Sequence, residues 1–248
     1  MSGAGLPSSG SDMLSNHRRA FWYAVVLLGS MILVFVAIGR HTGGDPTATT
    51  FPFVGRWDLA VFHATDDIRF GPLTILARAL NVIGSGVVTI PLRIGVAIWL
   101  TSRRRWRALA TWLVTWAAAE IVLSLSKGYF ARARPPDPLV GTNGHSFPSG
   151  HAVAAAATAV ALVIVLLPPG PKRRRWELAA AGFAFVMACS RVYLHAHWLS
   201  DVVAGVLLGS GIALGSAAVV TEVRDLAMRR MERRRGPAVE SRPDATPP

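Results

Sequence analysis

The sequence predicts an all-α fold: an integral membrane bundle of six helices with a short interfacial helix between the first two. Three observations carry this. Of 248 residues, 52% are hydrophobic and 16% charged, a balance too apolar for an ordinary soluble domain at a length that suits one bundle. Six stretches approach the roughly 20 mostly apolar residues a spanning helix needs, because lipid offers no partner for an unpaired backbone amide or carbonyl. The 26 Lys and Arg residues, against 14 Asp and Glu, give a net charge of +12 and gather in clusters between those stretches.

Residues 1–17, rich in Ser and Gly, read as a disordered tail. Helix one covers 21–39 without a charge. Its apolar run exceeds the about 7–15 residues of a signal-peptide core and no small-residue cleavage site follows, so it is expected to be retained. The next stretch holds Pro46, Pro52, Trp57, Phe62 and Phe70 among scattered charges. An amphipathic helix lying at the interface is expected there, over 56–80. Helix two covers 82–100, interrupted by Pro91 and Arg93; helices three to six cover 106–125, 148–167, 176–193 and 198–220. The membrane domain therefore spans 18–223, and 224–248 is a basic, mostly disordered tail. Arg93 and Glu120 lie inside spans and are expected to face the interior and pair across helices two and three. Trp106, Trp112, Trp176 and Trp198 fall near helix ends, where interfacial anchoring is the ordinary role. Cys189 is the single cysteine, which excludes an intrachain disulfide and suits a small buried apolar residue.

The basic clusters set the topology and exclude nucleic acid as the partner they serve. Arg18 and Arg19 precede helix one, Arg103, Arg104, Arg105 and Arg107 separate helices two and three, and Lys172, Arg173, Arg174 and Arg175 separate helices four and five. Further arginines in 224–235 follow helix six. By the positive-inside rule all four clusters, with both termini, are cytoplasmic. The Ala- and Arg-rich composition suits a bacterial inner or plasma membrane. The remaining connections, on the periplasmic or extracellular side, carry three polar runs.

Those runs are Lys127 to Arg134-Pro135, then Pro148-Ser149-Gly150-His151, then Ser190-Arg191 with His197 and Asp201. Lys127, Arg134 and Arg191 supply fixed positive charge on a face that otherwise has little, and an arginine fork matches two phosphate oxygens at once. Snorkelling at a helix end would explain one such cation but not the set. Ser149 and Gly150 open helix four, where unpaired amides and the helix dipole favour an anion and a residue without a side chain permits close approach. Asp201 lies four residues after His197 and shares its helix face, so it can fix the tautomer of that ring and stabilise the cation formed on attack. His195 has Leu199 at the same offset and is turned to nearly the opposite side. His151 is left as the general acid.

In order and spacing the runs match K-x6-R-P, P-S-G-H and S-R-x5-H-x3-D, and over about residues 80–221 the chain resembles the type 2 phosphatidic acid phosphatase (PAP2) superfamily. The resemblance implies a two-step hydrolysis: His197 attacks phosphorus, a phosphohistidine forms, and water attacks it with His151 now acting as base. Lys127, Arg134, Ser149, Gly150 and Arg191 would bind the phosphate. The implied partners are the bilayer and a phosphorylated lipid, whether undecaprenyl pyrophosphate, phosphatidylglycerol phosphate or phosphatidic acid; oligomeric state stays open.

Two other classes fit these residues less well. His145, His151, His195, His197 and Asp201 are possible metal ligands, but H-x-H on a helix cannot converge on one ion and carboxylates are sparse beside Asp137 and Asp201, so neither metal nor other cofactor is expected. A non-catalytic phospholipid-binding or transport bundle would need the cations but not both histidines. The soluble haloperoxidases that share such a pocket do not have six spans.

Overall fold

Leu199–Arg235 forms the longest helix, and the others pack around it. The computed structural model describes residues 9–39 and 48–235. In chain order these form α1 (Ser9–Ile38), α2 (Pro52–Asp67), α3 (Gly71–Ile83), α4 (Gly86–Ser102), α5 (Trp106–Phe130), α6 (Gly150–Leu166), α7 (Pro171–Tyr193) and α8 (Leu199–Arg235). Among the described residues every regular element is a helix.

The stretches expected as six spans fall on α1 and α4 to α8, of which three, or four with one bent pair, have the length and composition of a span. Residues 21–38 of α1, all of α5 and residues 199–231 of α8 are long and apolar enough to cross a membrane, and α3 with α4 forms a further pair bent by 45°. The apolar helix α6 is shorter. The single interfacial helix expected over 56–80 is instead two helices, α2 and α3. The break falls where Pro72 enters the first turn of α3, because proline has no amide to continue the preceding helix.

Both ends of the domain also differ from expectation. Helix α1 already begins at Ser9, inside the stretch read as a tail, since no proline follows Pro7 until Pro46; residues 1–8 lie outside the described ones. Helix α8 does not stop near 220 but continues through Arg235, because 221–235 contain no Gly or Pro and many strong helix formers. Residues 236–248 lie outside the described ones. A helix of 37 residues is about 55 Å long at 1.5 Å per residue. That exceeds a hydrocarbon core of about 30 Å, so its basic end stands clear of the lipid.

Helices α6 and α8 approach at backbone distance. A methyl group built on Gly205 would sit 2.8 Å from the Ser149 carbonyl oxygen, and one on Gly209 would lie 2.9 Å from the Ala157 amide nitrogen. Gly205 and Gly209 face Ala152 and Ala156, so small residues four apart on both helices make the contact, the usual device where lipid supplies no hydrophobic drive. Around it, Met31, Ala119, Val153, Ala157, Leu208 and Ile212 close the mid-bundle core. At the end where α6 begins, Phe35, Phe130 and Phe147 meet edge to face at centroid distances of 4.8–5.1 Å. Edge-to-face rings fix orientation as well as burying area, and through Phe147 this trio forms a floor beside the start of α6.

Arg93 and Glu120 do pair, Nη1 to Oε1 at 2.8 Å. Arg93 is buried, also faces Thr158 and lies over the Trp116 ring, whereas the Glu120 side chain is 55% exposed, so only the arginine faces the interior. Trp112 and Trp198 are not interfacial anchors: both are buried, with their indole N–H groups donating to the Arg93 and Ala133 carbonyls. Trp106 and Trp176 are exposed. Cys189 is exposed on α7 rather than buried.

Candidate active site

Four helix ends meet above the phenylalanine floor: the C-termini of α5 and α7 and the N-termini of α6 and α8. Helix α5 stops where Ala131 adopts a left-handed conformation (φ 47°) and its amide closes on the Lys127 carbonyl. This turn directs the following arginines across the end of the bundle. Helix α7 ends at Tyr193, and the Arg191 carbonyl accepts from the amides of Ala196 and His197 at 3.1 and 3.3 Å, holding the turn into α8. All three polar runs are therefore at one end of the molecule.

His197 sits in that turn, not on a helix as expected, one residue before Trp198. Its pairing with Asp201 survives because Asp201, in the first turn of α8, reaches back to accept the Trp198 amide at 2.9 Å, the reciprocal cap that suits a carboxylate at this position. Its Oδ2 lies 3.5 Å from His197 Nδ1, and Nδ1 has no closer partner. On the other side of the ring, Arg134 Nη1 lies 3.2 Å from Nε2. A guanidinium can only donate, so Nε2 carries the lone pair and Nδ1 the hydrogen that faces Asp201. Burial holds the ring's pKa down at about 4; Asp201 pulls it up, and Arg134 and Arg191 push it further down.

Arg134 is fixed by four carbonyl oxygens: Gly144 on Nε at 3.0 Å, Ala196 on Nη1 at 2.7 Å, and Asn143 and His145 on Nη2 at 2.8 and 3.3 Å. Burial lowers its pKa, opposed by Asp201, but a guanidinium stays charged regardless. Lys127 Nζ donates to the same His145 carbonyl at 2.7 Å, which sets it beside Arg134. The buried Arg191 donates through Nη1 to Asn81 Oδ1, while its Nε has no partner. Ser149 occupies the N-cap of α6, yet its side chain makes no capping bond; its hydroxyl is buried without a partner. Its amide donates to the Asp201 carbonyl at 3.0 Å, so the first-turn amides of Gly150 and His151 remain as the helix's unpaired donors. A methyl on Gly150 would meet only Leu123, at 3.5 Å, so protein packing does not itself demand glycine there. His151 Nε2 lies 3.1 Å from the Asn81 carbonyl.

One motif residue, Ser190, and the neighbouring His195 point elsewhere. The Ser190 hydroxyl donates to the Met187 carbonyl at 2.7 Å. His195, with φ 53°, turns away to Thr65 and Arg69, each 2.8 Å from a ring nitrogen, and stacks on Phe62. Burial and Arg69 lower its pKa against the pull of Asp66. It is separated from His197 by the turn rather than by helix periodicity.

A model of the PAP2 superfamily matches residues 108–225. Phosphatidylglycerophosphatase B of Bacillus subtilis is 31% identical over 186 residues, covering 72% of this chain and 86% of that protein. The chain belongs to the PAP2 superfamily. It is an integral membrane protein and a phosphate-ester hydrolase of that superfamily. The undecaprenyl-diphosphatase of Sulfolobus acidocaldarius is 28% identical over 209 residues, 82% of this chain and 92% of that protein. The crystal structure of a transmembrane PAP2 type phosphatidylglycerolphosphate phosphatase from Bacillus subtilis aligns with a TM-score of 0.67 at 26% identity, covering 83% of this chain and 97% of that one. Aquifex aeolicus LpxE shares the fold, with a TM-score of 0.54 at 22% identity over 64% of this chain and 93% of that one.

The PAP2 match begins at residue 108 and so omits two helices that reach the site, α2 and α3. From α3, Asn81 touches both Arg191 and His151. From α2, Asp58 pairs with Arg132 at 2.7 Å, and Arg132 pairs in turn with Asp201 at 2.7 Å. Ser146 also donates to Asp201. Sequence reasoning missed all four. The signal for Asp58 was an acid between Trp57 and Leu59 in the aromatic-rich first half of its helix, and for Arg132 a second arginine two positions before Arg134. Carboxylates are thus less sparse here than the sequence suggested, although both Asp58 and Asp201 are paired with Arg132.

Proposed function

We propose that this chain is a membrane lipid phosphatase that removes a phosphomonoester or the terminal phosphate of a diphosphate through a phosphohistidine on His197. The observation that carries the reading is the set of buried polar atoms without a protein partner. Of the four such atoms among the described residues, Ser149 Oγ and Arg191 Nε belong to the phosphate side of the site, His197 Nδ1 is turned to Asp201 at 3.5 Å, and Arg69 Nε lies elsewhere; such atoms are rare in native proteins unless something is meant to meet them. Their chemistry, together with Lys127, Arg134 and the amides of Gly150 and His151, is that of a tetrahedral anion's cradle.

In this reading the phosphoryl group enters between Arg134 and His197, and Arg134 exchanges its contact with Nε2 for phosphate oxygens. Nε2 attacks in line, and positive charge developing on the ring is stabilised as Nδ1–H closes on Asp201. His151 donates the proton to the departing oxygen, then draws a proton from the water that cleaves the phosphorus–nitrogen bond and regenerates His197. Charge on the transferring group is neutralised by arginine and lysine rather than by a metal, since Arg132 already pairs with the two buried carboxylates. The relatives act, by name, on phosphatidylglycerophosphate and undecaprenyl diphosphate. Both are lipids whose phosphate lies at headgroup level, the depth at which a site at helix ends is accessible.

The basic clusters support a sidedness. Arg103, Arg104, Arg105 and Arg107 lie at the α4–α5 connection, Lys172 to Arg175 open α7, and arginines close α8. All are at the helix ends opposite the site, which supports cytoplasmic termini and a site facing the periplasm or exterior.

The test is release of inorganic phosphate from a panel of lipid mono- and diphosphates by the detergent-solubilised protein in excess chelator. Turnover that disappears in His197→Ala, with an acid-labile phosphoprotein trapped from wild type, is expected. Undiminished turnover by that variant would refute the nucleophile, and activity restored only by added metal would refute the metal-free reading.

A further inference from the structure

We propose that Asp58 and Arg132 are positioning residues for the phosphatase reaction: Arg132 sets the plane of the Asp201 carboxylate, and Asp58 keeps Arg132 from neutralising it. This rests on the reading above, in which Asp201 supports His197.

Arg132 is fully buried, and the carboxylates on either side of it are 1% and 0% exposed. Its Nη1 reaches both Asp201 Oδ1 and the Ser200 hydroxyl at 2.7 Å, while Nη2 reaches Asp58 Oδ2 at 2.7 Å. The guanidinium also lies over the Trp198 ring at 5.6 Å. Asp58 is held in turn, accepting from the Ser200 amide at 2.8 Å and its hydroxyl at 2.6 Å. A carboxylate at the first turn of α8 also meets the positive end of that helix. Arg132 therefore ties α2, the α5–α6 loop and α8 into one fixed group.

The consequence for Asp201 is geometric. With Oδ1 taken by Arg132, and Oδ2 accepting from Ser146 and the Trp198 amide, the carboxylate cannot rotate, and Oδ2 remains the oxygen turned toward His197. The consequence of Asp58 is electrostatic. Two carboxylates share one guanidinium, so the group keeps a net negative charge, which is what favours the imidazolium that forms as His197 attacks. Without Asp58, Arg132 would face Asp201 alone, and a one-to-one pair leaves no net charge for the ring. Buried pairs contribute little to stability over apolar replacements, whereas stranding one partner is costly, so a role in fixing geometry explains what stability alone would not.

The experiment compares wild type with Asp58→Asn and with Asp58→Asn/Arg132→Gln, measuring kcat, KM, inhibition by inorganic phosphate and thermal midpoint. Asp58→Asn leaves Arg132 and Asp201 as a one-to-one pair, so it strands no charge but removes the group's net negative charge; the double variant restores that net charge but leaves the buried Asp201 without the guanidinium that holds it, at a cost to the midpoint. The expected result is an Asp58→Asn variant whose midpoint stays near wild type while kcat falls by about tenfold or more, and a double variant whose kcat also stays down, with KM and phosphate inhibition within about threefold in both, as for an interaction made only in the transition state. Wild-type kcat in a folded Asp58→Asn variant would overturn the charge role of Asp58, and wild-type kcat in a folded double variant would overturn positioning by Arg132 and leave a structural role. If the double variant does not fold, Ser200→Ala carries the test, because it removes one hydroxyl of the group without stranding a charge. A lower kcat at unchanged KM supports positioning, and wild-type kcat overturns it. Wild-type protein that releases no phosphate from any lipid would instead refute the phosphatase reading, a result distinct from either.

Discussion

Ser149 donates its backbone amide to the carbonyl oxygen of Asp201, at 3.0 Å. One hydrogen bond thus joins the start of the helix that would cradle the phosphate to the residue that would support the nucleophile. It can form only because α6 and α8 touch along Gly205 and Gly209 just beneath it.

Gly209→Ala is therefore expected to damage a site it does not touch. The added methyl would overlap the Val153 carbonyl and approach the Ala157 amide to 2.9 Å, and backbone cannot give way as a flexible side chain can. Overpacking of this kind costs about 1–3 kcal/mol. The expected outcome is a lower thermal midpoint in detergent together with reduced kcat/KM, measured on the same preparation. A wild-type midpoint would show that the helices do not depend on this contact.

Ser149→Ala should separate function from stability in the opposite sense. The hydroxyl is buried without a protein partner, so its removal relieves an unsatisfied group and the midpoint should stay level or rise. If the hydroxyl donates to a phosphate oxygen, a hydrogen bond to a charged group is lost, worth about 1.5–3 kcal/mol, or roughly 10–100-fold in kcat/KM. Unaltered kcat/KM would remove Ser149 from the site.

The parts of the site legible in the sequence were those whose partners lie within a few residues. Gly150 after Ser149 at a helix start, Asp201 four residues from His197, and the order of the three runs are local patterns. Arg132 with Asp58, and Arg191 with Asn81, join residues 74 and 110 positions apart, and no spacing rule points from one to the other. The helical class and the longest apolar spans, in α1, α5 and α8, were legible because lipid enforces a simple length and composition rule. The break between α2 and α3 was misread because amphipathic patterning continues across it, although Gly71-Pro72 marks the boundary. The contact of α6 with α8 was also present in the sequence as two glycines four apart, but small residues acquire meaning only with a facing helix.

Arg134→Lys is expected to behave as a severe substitution despite preserving charge. The guanidinium is held by the carbonyls of Gly144, Ala196, Asn143 and His145 while its Nη1 faces His197. An ammonium cannot satisfy those acceptors in one plane and present a fork to phosphate. Loss of one preorganised donor to a transition-state oxyanion typically lowers kcat by about 10²–10³, and a fall in that range is expected here. Lys127→Arg, at a position that acts as a point charge, should retain more activity. Equal activity of Arg134→Lys and wild type would show that bidentate geometry has no role.

Acid sensitivity offers a test of the His197 environment. Burial holds its folded pKa at about 4, below the ordinary value near 6.5. Between these values the unfolded chain takes up a proton that the folded chain excludes, so this group's contribution to stability is complete above about pH 6.5 and is lost as pH falls toward 4. The thermal midpoint of wild type should therefore decline across that window more steeply than that of His197→Asn, which has no ring to protonate. In the absence of ligand, nitrogen NMR of labelled histidine should show the Nδ1–H tautomer of His197 persisting to about pH 5, while bound phosphate, as a nearby anion, should move the titration upward. A ring titrating near 6.5 without ligand would mean that His197 is open to water, and the contact between Arg134 and Nε2 would then not govern its tautomer.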